Sequence, residues 1–172
     1  MLKKISDNND NRGHSIINFV MVVIVIMVIG CGFLDMINLV RLKSIVNAQA
    51  NIYASAAVQQ SGFRKDIPSD WKSVYGDNCT NYITKSNAVN SFKTAISHTN
   101  GIDKTCRITL GGKNLASESG DVVIAWQEES EIVCSVDYHL DYLDAFGLIN
   151  ETFVCKTAHK VVGFWIHKTT QI

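Results

Sequence analysis

Five cysteines are the residues of this chain best able to do chemistry. Cys31 stands inside an apolar run, where a thiol behaves as a small apolar side chain. Cys79, Cys106, Cys134 and Cys155 all follow that run. No C-x-x-C pair exists, which argues against zinc. An even number of cysteines in a small extracytoplasmic domain predicts two disulfides. Cys79–Cys106 and Cys134–Cys155 are the expected pairs, with connectivity open; the second would tie neighbouring strands. Four reduced cysteines in a cytosolic domain are the alternative.

The remaining candidates point away from catalysis. His98, His139, His159 and His167 lack a ligand spacing such as H-x-x-x-H. Asp137, Asp141 and Asp144 cluster near His139, which suggests calcium or an acid–base pair. Without a D-x-D-x-D-G signature, a solvated loop is the better reading. No G-x-S-x-G, Walker loop or nucleophile–base–orienter pattern appears. No catalytic, metal or cofactor residue is therefore assigned, and an enzyme is not expected. Trp71, Trp126 and Trp165 read as core or edge aromatics. Asn78-Cys79-Thr80 and Asn150-Glu151-Thr152 match glycosylation acceptors. Sixteen basic and sixteen acidic residues balance, and no basic patch suggests nucleic acid.

The element that would carry these residues is set by one stretch. Ile16 to Leu34 reads IINFVMVVIVIMVIGCGFL, with Asn18 its only strongly polar side chain. Such a helix is roughly 28 Å long, close to the hydrocarbon thickness of a bilayer. It is too long for the core of a cleavable secretory signal, and no small-x-small cleavage site follows. Four segments are expected: a polar leader 1–13, a transmembrane helix 14–36, a helix extension 37–62, and a disulfide-bonded α+β domain 63–172. Lys3, Lys4 and Arg12 before the run slightly outweigh Arg41 and Lys43 after it. The positive-inside rule then favours a cytoplasmic N-terminus.

The helical pattern continues past the membrane. Leu39, Leu42, Val46 and Tyr53 recur near helical spacing, and alanines favour helix, so one helix is expected from about Ser15 to Ser61. Gly62 is its expected C-cap, followed by apolar Phe63, and Gly30 and Gly32 are places for a bend. A loop from Arg64 to Thr84 contains a helical turn at Pro68-Ser69-Asp70. A second helix is expected over Asn87–Thr99, burying Val89, Phe92 and Ile96 and closed by Asn100-Gly101. Then the period becomes two. Cys106, Ile108 and Leu110 form one strand face before a Gly111-Gly112 turn. Val122–Trp126 reads as a strand and Glu128–Ser130 as a turn. Ile132, Cys134, Val136 and Tyr138 share the next face, and a last strand runs from Thr152 to Val162. The fold class is α+β: a long transmembrane helix extended into a small antiparallel β-meander domain with a second helix.

Arg12 to Gly62 resembles the TadE-like family, pilin-like proteins of tight-adherence (Flp-type) pilus systems. Arg12-Gly13 match the family's basic-glycine start, and Asn18-Phe19 stand where its Glu-Phe pair would be. Gly32 and Asp35 match its glycine and acid in spacing. Arg41 and NAQANIYASAAVQQSG look like its alanine-rich extension. Two features depart: Asn18 replaces the glutamate, and Ile24 stands near the usual proline.

The resemblance implies a bacterial inner-membrane, single-pass protein with its domain outside the cytoplasm. It implies prepilin-type cleavage between Gly13 and His14. The family's glutamate neutralises the amine of a neighbouring subunit in lipid, which asparagine cannot do. Helix packing through Asn18, Gly32, Asp35 and Arg41 would join other pilin-like subunits and the pilus assembly machinery. A membrane-anchored binding or sensor domain that never enters a filament is the alternative.

Overall fold

The stretch from Asp7 to Gln60 forms one unbroken helix, α1, in a computed structural model describing residues 7–76, 79, 81–97, 99 and 105–164. Neither Gly30 nor Gly32 interrupts it. The chain divides into two compact units. One takes in the chain up to Ile37 together with Leu140–Glu151. The other takes in Asn38–His139 and the chain from Thr152.

In the second unit, α1 turns one face inward. Leu42, Val46, Ala50, Tyr53 and Ala57 are buried, at the three- and four-residue spacing that stacks side chains on one helix face. Burying Leu42 or Val46 contributes about 1.5–3 kcal/mol each. Tyr53 packs edge-on against Phe63 and Phe92, with ring centroids 6.4 and 6.2 Å away. The helix end is held by its last residue. The buried amide of Gln60 donates to the Ile83 carbonyl at 2.7 Å and accepts from the Ile83 N–H at 3.1 Å.

Termination differs from the expectation. Ser61 adopts the left-handed conformation, at φ 52°, directly after the helix. Gly62 has φ 114° and belongs to β1, Gly62–Phe63. β1 pairs antiparallel with β4, Val122–Val123. A Cβ on Gly62 would collide with the Val122 carbonyl, so glycine is needed there for close approach as well as for φ.

Two short helices follow α1. α2 spans Ser69–Tyr75 after Pro68, as the sequence implied, and buries Trp71. α3 spans Lys85–Ile96, two residues earlier than its expected start. The Thr84 hydroxyl caps it by accepting from the Asn87 N–H. Its buried face is Lys85, Ala88, Phe92 and Ile96, with Ala88 in place of Val89. Asn100-Gly101 lies outside the described residues.

The main sheet has order β3-β2-β5-β6. Its strands are β2 (Cys106–Leu110), β3 (Lys113–Asn114), β5 (Glu129–His139) and β6 (Thr152–Val162). The expected last strand is reproduced at both ends. The Glu128–Ser130 turn is not, because β5 already begins at Glu129. From Ile132 onward every second residue of β5 is buried, namely Ile132, Cys134, Val136 and Tyr138. The order is not a simple meander. Val122–Trp126 leaves the sheet: only Val122 and Val123 pair, with β1, while Trp126 forms a single parallel bridge to Gly163. This allows β5 to pair with β2 directly. The Lys85 ammonium is buried and donates to the carbonyls of Glu118 and Gly120, tying the intervening loop to α3.

Candidate functional site

The first unit carries the largest feature exposed for contact. α1 is long and apolar enough to cross a membrane, and none of its most apolar stretch is buried. Ile16, Phe19, Ile26 and Phe33 are each more than 60 % exposed. Contiguous apolar surface of this extent marks a membrane or protein contact. Asn18 and His14 are exposed with it.

At the end of this stretch sits Asp35, only 1 % exposed. Its two carboxylate oxygens accept from consecutive backbone amides, Tyr142 N–H at 3.4 Å and Leu143 N–H at 3.0 Å. Those amides belong to α4, Asp141–Asp144. An acid on one element thus caps the start of another, supplying acceptors the short helix lacks. One turn earlier, Leu143 reaches Gly32: its Cδ2 lies 4.0 Å from where a glycine Cβ would stand.

The other end of α4 closes on Gly147, at φ 64°. Gly147 N–H donates to the Asp144 carbonyl and Leu148 N–H to the Leu143 carbonyl, at 2.7 and 3.2 Å. This is a Schellman closure, with glycine in the left-handed position. Gly32 and Asp35 are expected sites of helix packing, whereas their contacts with Leu143 and with the amides of Tyr142 and Leu143 are not foreshadowed in the sequence. Leu143 and Leu148 bracket Gly147 at the spacing of that motif, which is the local signal available. The pairing with Asp35 had none, because its partners are backbone groups.

Arg41 is exposed. Gly13 and His14 both lie within α1.

The cysteines do not form disulfides. All five are free thiols, which corrects the expected Cys79–Cys106 and Cys134–Cys155 pairs. Cys79 donates to the Gly76 carbonyl at 2.7 Å and packs with Trp71 and Tyr82. Cys106 and Cys155 each stand opposite Val136, whereas Cys134 stands opposite Ile108 and Thr157. Cys134 and Cys155 are therefore diagonal neighbours. Diagonal Cα atoms lie about 7–8 Å apart, beyond the roughly 6.8 Å that a disulfide spans.

Three thiols, Cys106, Cys134 and Cys155, thus share one sheet face. Burial pushes Cys134 up to about 12 and raises Cys106 and Cys155 as well, with Lys93 and Lys43 opposing the last two. Burial also raises the Tyr53 phenol, with Cys134 and Cys106 adding to it. Thiols held protonated are poor nucleophiles and poor metal ligands.

Asp137 is engaged by Thr105 and by Arg107, the latter at 3.7 Å. Among the described residues, no group of three or more His, Cys, Asp or Glu side chains could hold a metal. His98, His167, Trp165 and both Asn78 and Thr80 lie outside the described residues. Two shallow grooves lie in the second unit, one lined by Lys85, Asn90 and Lys93 and the other by Ser55, Gln59 and His159. No family model, no curated protein and no solved structure matches this chain.

Proposed function

We propose that this chain is a non-enzymatic, membrane-anchored, pilin-like subunit, a minor pilin or pseudopilin of a tight-adherence or related type IV pilus or secretion machine. One observation carries the reading. A single helix has an apolar, uncovered first part and a second part whose inner face is buried in an α+β domain. A helix built so has one surface for lipid or for like helices and another for its own sheet. The TadE-like pattern through Gly13, Gly32, Asp35 and the alanine-rich extension supports the family assignment. In this reading Ile16–Leu34 lies in the bacterial inner membrane and the domain lies outside the cytoplasm. The charge bias around the helix supports that orientation.

A phosphatase fused after Ile172, active only when exported, tests the orientation. Activity in membranes is the expected result. A stable but inactive fusion reverses the topology and excludes a pilin-like subunit.

A further inference from the structure

We propose that the β5–β6 connection, Leu140–Glu151, is a second membrane contact, an apolar turn that rests in the boundary between headgroups and acyl chains beside the anchor helix. The proposal rests on the membrane-anchor reading above and deepens it.

Its position is the first argument. Leu140–Glu151 belongs to the same compact unit as the apolar part of α1. Leu143 meets the helix at Gly32, inside the apolar run, and the Asp35 carboxylate holds the next amides. The turn is thus fixed where the lipid-length run ends.

Its surface is the second. Phe146 is 46 % exposed, Leu148 52 % and Ile149 39 %. Three large apolar side chains on so short a connection are costly in water. They are favourable at the acyl boundary, where they continue the apolar surface of the helix.

Its backbone is the third. Seven consecutive N–H groups, Tyr142 to Leu148, have acceptors. The first two use Asp35 and the next five use carbonyls of the turn itself, from Leu140 to Asp144. An ordinary loop leaves such groups to water. A segment that satisfies them internally meets the condition for irregular backbone near hydrocarbon. Exposed Asp141 and Glu151 stand at either end of the turn, where they remain at the aqueous edge.

Depth measurements on the full chain in phosphatidylcholine vesicles test this. Leu148→Cys is labelled in detergent with an environment-sensitive fluorophore, in a Cys31→Ala background, and then reconstituted. Ile26→Cys serves as the anchor control and Val74→Cys, 62 % exposed in the other unit, as the aqueous control. The expected result is loss of most Leu148 emission to a lipid nitroxide placed near the headgroup, with shielding from iodide. Iodide access at Leu148 without lipid quenching, while Ile26 is lipid-quenched, overturns the proposal and leaves the anchor intact. Shielding from both quenchers means that protein covers the turn, which also overturns it. An Ile26 label that escapes lipid quenching overturns the anchor reading and the proposal together.

Discussion

Among individual residues, the buried thiol of Cys134 has the most definite consequence. Its ordinary value is 9.0 and burial raises it to about 12. The folded state therefore holds a proton that the unfolded chain gives up. Stability from this group is complete below pH 9.0 and declines as pH rises toward 12. The decline approaches about 1.4 kcal/mol per pH unit for one group. Cys106 and Cys155 shift in the same direction. Tyr82, raised from 10.0 to about 12, adds to the decline only at higher pH. Denaturant titrations at pH 9 and 10 should show the loss, and Cys134→Ala should make it shallower while lowering stability at neutral pH. An unchanged slope in Cys134→Ala would show that other groups govern the alkaline limit. The same protonation explains why Cys134 should resist thiol reagents until the fold opens.

At the scale of elements, α1 sets a contrast within one helix. Leu42 is fully buried and Leu34 is 47 % exposed. Leu42→Ala should cost about 2–5 kcal/mol in detergent, since it leaves a cavity in the core. Leu34→Ala should cost well under that. Thermal melts of the two purified variants check the difference. Equal losses would mean that the buried face of the helix has been misplaced.

Much of this level was legible in the sequence. Period-two burial of Ile132, Cys134, Val136 and Tyr138 and the limits of β6 came from alternation alone. The helix face through Leu42, Val46 and Tyr53 came from helical spacing. What failed depended on partners distant in the chain. Val122–Trp126 has a strand's composition, but its pairing is with Gly62–Phe63. Gly62 looked like a helix cap because glycine favours left-handed backbone, whereas its place is fixed by the approaching Val122 carbonyl. The Cys134–Cys155 disulfide failed on register: both cysteines lie on the right face and on adjacent strands, one pair out of step. At the candidate site, Asp35 was legible as an edge acid, but not its backbone partners.

For the whole molecule, the proposed function turns on whether residues 1–13 are removed. If a prepilin-type peptidase cuts after Gly13, the mature chain begins at His14, with Asn18 where the TadE-like proteins it resembles have a glutamate. Gly13→Leu should then abolish the mass loss seen in native membranes containing the peptidase. Asn18→Glu should raise incorporation into any filament or complex, because a carboxylate neutralises a neighbouring amine in lipid. Intact-mass analysis and crosslinking read the two outcomes. A chain that keeps Met1 in both the parent and Gly13→Leu would favour a membrane-anchored binding domain over a filament subunit.

The hydrogen bonds of Asp35 also impose an order in time. Its partners lie 107 and 108 residues further along the chain. At a synthesis rate of about 5–20 residues per second, the apolar helix precedes them by roughly 5–20 s. Throughout that interval these two hydrogen bonds are missing, and they form only when Tyr142 and Leu143 arrive. Final seating of the helix is thereby coupled to near-completion of synthesis. A chain cut short of Tyr142 keeps its apolar helix but lacks these two hydrogen bonds to the acid.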